Sequence, residues 1–180
     1  MRVTKLAAAA ALLASVVIAG TTTLAGAAQS GGKIRVFVTS TSATKGKILV
    51  TGAIGDYGTT LSVNKNGKPN PNGDYQKVTL KKGGFWVNGT ALQKKLDSMQ
   101  PKANPSNCSL AFTGTAPTSL FKGTGAYAGI GGKINITVTF AGIAPRITSG
   151  AKAGQCNFAN NVNPIAQYQS ITGTGNVHFG

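Results

Sequence analysis

Lys133-Ile-Asn-Ile-Thr-Val-Thr-Phe-Ala141 alternates apolar and polar residues at every step from Ile134 to Phe140. In an extended chain successive side chains point to opposite faces. Ile134, Ile136, Val138 and Phe140 therefore share one face, and Asn135, Thr137 and Thr139 the other. The stretch reads as a half-buried β-strand. Lys33-Ile-Arg-Val-Phe-Val-Thr39 repeats the pattern, with Ile34, Val36 and Val38 against Lys33, Arg35, Phe37 and Thr39. Comparable runs occupy residues 47–51, 59–64, 75–80, 85–88, 108–113 and 171–179.

About eight short strands at fairly even spacing predict an all-β fold, a sandwich or a barrel. The turn chemistry agrees. Asn66-Gly67 and Asn72-Gly73 flank a loop over residues 64–74, where Pro69 and Pro71 are expected to block ladder pairing. Lys82-Gly83-Gly84 predicts a tight hairpin. One short helix is expected: Thr90-Ala-Leu-Gln93 has the capping-box pattern, Leu92, Leu96 and Met99 recur at helical spacing, and Pro101 ends the run. Such a helix would serve as a lid over a barrel end or a cover on the outside of a sheet. Gly123-Thr-Gly125 and Gly173-Thr-Gly175 lie in or beside strand patterns, where glycine marks bends and close backbone approach. These features favour one small, strongly curved antiparallel barrel. A phosphate-binding loop over residues 123–132 is disfavoured, because no helix and no Gly-Lys-Ser/Thr ending follows.

Phe121-Lys-Gly-Thr-Gly-Ala-Tyr-Ala-Gly-Ile-Gly-Gly132, followed by the alternating strand, resembles the strand-turn-strand signature of the allene oxide cyclase-like and dirigent-like barrels. Ile171-Thr-Gly-Thr-Gly-Asn-Val-His-Phe179 is similar to their last strand. Val50-Thr-Gly-Ala-Ile-Gly-Asp-Tyr-Gly58 with Gly154-Gln-Cys-Asn157 resembles small secreted actinobacterial proteins. The resemblance implies a small barrel around a cavity, homo-oligomers such as trimers, and a cyclase or isomerase reaction as one activity. It places Tyr127, the aromatic after the Gly-Thr-Gly, among the candidate ligand-binding residues. The Glu associated with the plant-type cyclase reaction has no counterpart, because the chain contains no Glu.

Residues 1–27 read as a secretory signal peptide: Arg2 and Lys5, a charge-free apolar run over residues 6–18, then Ala25-Gly26-Ala27 as the cleavage site. The run is shorter than the roughly 20 residues a bilayer-spanning helix needs. Residues 28–180 then form one secreted domain, extracellular or cell-wall associated, with no transmembrane segment. Export also bears on Cys108 and Cys156, the only two cysteines: an oxidising compartment favours pairing them. A zinc site is implausible with one His and no Glu.

The composition narrows the chemistry. With 3 acidic residues in 180, paired-carboxylate hydrolysis and carboxylate metal cages are poorly supplied. No metal or cofactor is expected. Asp56, in Gly-Asp-Tyr-Gly, reads either as a cavity carboxylate beside Tyr57 or as an Asx-type turn bonding its own backbone. Phe85 and Trp86 are adjacent, so one of them faces out; Trp86 either lines a pocket or packs. His178 has no nucleophile or acid near it in sequence. No catalytic constellation emerges, and the candidate ligand-binding residues are Asp56, Tyr57, Trp86 and Tyr127. The formal charge of +15 favours contact with polyanions such as anionic cell-envelope polymers. Lysines far outnumber arginines and many fall in turns, which disfavours sequence-specific nucleic-acid reading. The leading expectation is a secreted, basic, non-catalytic barrel that binds an apolar small molecule or serves a structural role at the envelope. A barrel isomerase or cyclase, and adsorption to anionic polymers through lysines, are the alternatives.

Overall fold

The computed structural model describes residues 30–159 and 162–180. The signal peptide read over residues 1–27 lies outside the described residues. Strands β1 (Gly32–Ser40), β2 (Lys45–Gly52), β3 (Asp56–Val63), β4 (Tyr75–Leu80) and β5 (Gly83–Asn88) run as an antiparallel meander. Helix α1 (Thr90–Asp97) and the short strand β6 (Lys102–Asn104) follow. Three long strands complete the chain: β7 (Ser109–Gly125), β8 (Ile130–Ile143) and β9 (Ala166–Phe179).

β9 pairs with β1, and β5 pairs with β7, so the sheet closes into an eight-stranded antiparallel barrel. β6 adds a ninth strand alongside the start of β7. The expected all-β barrel with one short helix and one disulfide is therefore what forms. Closure covers both outer edges of the β1–β5 meander, with β9 on β1 and β7 on β5. The alternation read from sequence decides which face goes in: Ile34 and Val36 of β1, Ile48 and Val50 of β2, and Ile134, Ile136 and Val138 of β8 are buried, while their neighbours face solvent.

β9 fits between β1 and β8 because two of its central inward positions, Gly173 and Gly175, carry no side chain. A Cβ at Gly173 would lie 2.4 Å from Ile136 Cδ1, and one at Gly175 would lie 2.2 Å from the Lys133 carbonyl oxygen. Ile134 and Ile136 of β8 cover the glycine backbone, and the wall can curve tightly there.

The expected strand over residues 108–113 is part of a longer one. β7 continues through Gly114 and Pro117 to Gly125, and Pro117 is accepted because β7 there has a ladder partner only in β8. Residues 109–118 of β7, with the facing parts of β8 and β9, extend past the β5 seam. Cys108 and Cys156 form a disulfide that ties the β8–β9 connection to the start of β7. Arg146 braces the same region, donating from Nη1 to the Gly154 carbonyl and from Nη2 to the Ser106 carbonyl.

Two local expectations are corrected. The capping box does not form: Gly89 is the N-cap of α1, and Thr90 donates from both its backbone and its hydroxyl to Asn88 Oδ1. The Gln93 side chain turns forward to Asp97 Oδ1 instead of back. Pro69 does not block all pairing either; it makes an isolated bridge with Val63, in which the Asn64 N–H donates to the Lys68 carbonyl and the Asn70 N–H to the Ser62 carbonyl. The two turns of that loop are held as Asx turns, with Asn64 Oδ1 accepting from Asn66 and Lys68 and Asn70 Oδ1 from Asn72.

Candidate ligand-binding cavity

The two ends of the barrel differ. At the end where β3 begins and β7 turns into β8, the interior is filled by Ile34, Val50, Ile54, Leu80, Tyr127, Ile130 and Val177. At the other end lies a cavity of about 590 Å³. This is within the roughly 300–1,000 Å³ range of small-molecule sites. Val36, Val38, Ile134, Ile136, Val138 and Ile171 make an apolar wall on the β1, β8 and β9 side. Phe85 and Val87 come from β5. Leu92 and Leu96 of α1 cover part of the mouth, and exposed residues 40–45, Gln167 and Gln169 form its rim. α1 seats closely because β7 offers Gly114 beneath it: a Cβ there would stand 2.8 Å from both Leu96 Cδ2 and Met99 Sδ.

The opposite wall mixes polar and apolar side chains, with Val78 in register with Thr60 and Val87 with Gln76. Thr60 and Ser62 of β3 and Gln76 of β4 face inward, Gln76 in register with Ser62. Thr118 also lines the cavity, but its hydroxyl donates to the Ile134 carbonyl at 3.1 Å. Ser62 reaches the Gly73 carbonyl only at 3.5 Å. The Thr60 hydroxyl makes no hydrogen bond within the described residues although Thr60 is only 8% exposed. A buried hydroxyl without a partner costs about 1–3 kcal/mol. No carboxylate, imidazole or thiol lines the cavity among the described residues. Its lining can therefore offer apolar contact, hydroxyls and amides, with Lys45 as the one cation at the rim.

The sequence-derived candidates are placed elsewhere. Asp56 and Tyr127 are brought together, but in the filled end: the Tyr127 hydroxyl donates to Asp56 Oδ2, the backbone N–H of Lys82 donates to the same oxygen at 3.0 Å, and that of Tyr57 to Oδ1 at 2.7 Å. Burial pushes the Asp56 carboxyl up. The hydrogen bonds from Tyr127 and from the backbone of Lys82, Tyr57 and Lys81 outweigh it and hold the group below the ordinary carboxylate value. Burial, reinforced by the Asp56 carboxylate, pushes the Tyr127 phenol well above its usual range. The Tyr127 ring lies edge-on to Phe85, 6.0 Å between centroids, so the pair forms part of the floor beneath the cavity.

Tyr57 faces solvent, with the Lys81 ammonium 5.5 Å from its ring centre. Of the adjacent aromatics in β5, Phe85 turns inward and Trp86 outward. Trp86 packs against Phe121 on the outer wall at 6.1 Å, under the Lys122 ammonium at 4.9 Å. His178 is exposed and lies over Gly131. The cavity residues that sequence reading did not single out are Thr60, Ser62, Gln76 and Thr118. Their signal was a polar residue at alternate positions of a strand, which by itself does not say which face turns in.

Comparisons with protein-family models, with curated proteins and with solved structures find no match for this chain.

Proposed function

We propose that the protein is a secreted, non-catalytic barrel that binds an uncharged, mainly apolar small molecule carrying a hydrogen-bonding group at one end. The observation that carries this reading is the cavity itself, in which an apolar wall faces the buried, unpartnered Thr60 hydroxyl. The ligand's apolar body would lie along Val36, Ile136 and Val138, and its polar end would reach Thr60 and Gln76. Burying each methylene of that body is worth about 0.8 kcal/mol. The resemblance to dirigent-like and allene oxide cyclase-like barrels supports a ligand in this interior. Between binding and a cyclase or isomerase activity, the lining supports binding, since hydroxyls and amides do not exchange protons readily near neutral pH.

Native mass spectrometry of the exported protein, followed by extraction, tests the reading. The expected result is a reproducible adduct below about 600 Da that Val138→Phe excludes by filling the cavity. Thr60→Val is expected to weaken rebinding of the extracted compound by about 2–10-fold, the worth of one neutral hydrogen bond, without destabilising the free protein. A bare protein mass, together with rebinding of no apolar compound from a culture extract, overturns the proposal.

A further inference from the structure

On the outer wall, Phe37 of β1 is in register with Leu49 of β2, and Leu49 with Tyr57 of β3. The three make one continuous row across three strands, at 45%, 48% and 58% exposure. Isolated exposed apolar residues are ordinary, but an aligned row of large ones is not. The same face carries Lys33, Arg35, Lys45 and Lys47, and the Lys81 ammonium stands over the Tyr57 ring at the end of the row. The nearest acid, Asp56, is turned into the barrel and buried. The patch is thus an apolar centre inside a ring of uncompensated cations.

We infer that this face docks on an anionic lipid bilayer. Aromatic and aliphatic side chains in the row enter the interfacial layer, and the surrounding cations meet lipid headgroups, each contributing about fivefold in affinity near a negative surface. Charge decides between the occupants. A second copy of the chain would bring the same cations against one another. A soluble anionic polymer would engage the cations but has no use for the exposed Phe37, Leu49 and Tyr57 side chains. A bilayer satisfies both halves of the patch.

Co-sedimentation of the purified protein with vesicles of phosphatidylcholine, with and without 30% phosphatidylglycerol (~30% being a usual anionic fraction), tests this. Binding is expected only with the anionic lipid. Phe37→Ser/Leu49→Ser is expected to weaken it about tenfold or more while leaving binding to soluble polyphosphate unchanged. Lys47→Glu/Lys81→Glu should weaken both. The Phe37 and Leu49 side chains lie on the outer wall, so the variants keep the barrel core; unchanged circular dichroism and melting confirm it. Both proteins share the same N-terminal segment. Vesicle binding carried by residues 6–18, or by charge alone, would leave the serine variant at wild-type affinity, and that result overturns the proposal. So would the absence of vesicle binding at low salt, or sedimentation as a dimer that the serine variant abolishes.

Discussion

Asp56 and Tyr127 are 71 positions apart in sequence and meet where the barrel is filled. Their contact fixes how stability should respond to pH. Asp56 titrates lower in the folded protein than in the unfolded chain. Its contribution is present above the unfolded carboxylate value and is lost as pH falls through the acid range below about 4. Tyr127 titrates higher when folded, so its contribution is complete below about 10 and is lost as pH rises beyond that. Denaturant unfolding measured across pH should show a plateau with two falling limbs. Tyr127→Phe should cost about 1.5–3 kcal/mol on the plateau, the usual worth of a hydrogen bond to a charged group, and remove the tyrosine part of the alkaline limb. An unchanged plateau would show that the phenol contributes nothing. In the sequence, Asp56 stood out as the one acid in a glycine-rich turn, and Tyr127 as the aromatic after Gly-Thr-Gly. Each was legible as special, but nothing local told which would face which, because the partner arrives from the β7–β8 turn, 71 positions along the chain.

Among the elements, the β7–β8 hairpin is the most tightly determined. A Cβ on Gly123 would lie 1.7 Å from the Tyr127 carbonyl oxygen, a backbone atom that cannot step aside. The β5–β7 register also slips between Gly84 and Trp86 in this region, and Lys122 adopts φ 52° to accommodate the bulge. Gly123→Ala should therefore cost about 3 kcal/mol or more, at the upper end for single substitutions, and thermal melting would measure it. A loss below about 1 kcal/mol would mean that the turn can open without cost. Strand alternation was readable here, as were the turn glycines. The length of β7 was not, because Gly114 and Pro117 are poor strand formers in isolation. Their place in the strand comes from β8 on one side and from α1 seated over Gly114 on the other. Helix position was legible through Leu92, Leu96 and Met99, whereas its capping was not: Asn88, the last residue of β5, competes successfully for the Thr90 donors.

For the molecule as a whole, closure joins strands far apart in the chain. The disulfide reinforces this by linking positions 48 residues apart. Restricting the unfolded chain over that span is worth about 4 kcal/mol in the loop-entropy picture, so Cys108→Ser/Cys156→Ser should lower the unfolding free energy by up to that amount. Equal stability of the reduced and oxidised protein would show that the unfolded chain already holds the two ends together. The barrel was legible from eight evenly spaced strands with strand glycines. A cavity was implied only through the family resemblance; its position and lining were not legible, since they depend on the sum of inward volumes, which no single residue announces. The polarity of that space carries a physiological consequence. A cavity lined by hydroxyls, amides and hydrocarbon holds its contents by terms that do not change between acidic and neutral surroundings. A cargo held there would not be unloaded by acidification. Discharge would instead follow the rate at which the contents leave through the mouth, which Leu92 and Leu96 of α1 cover only in part.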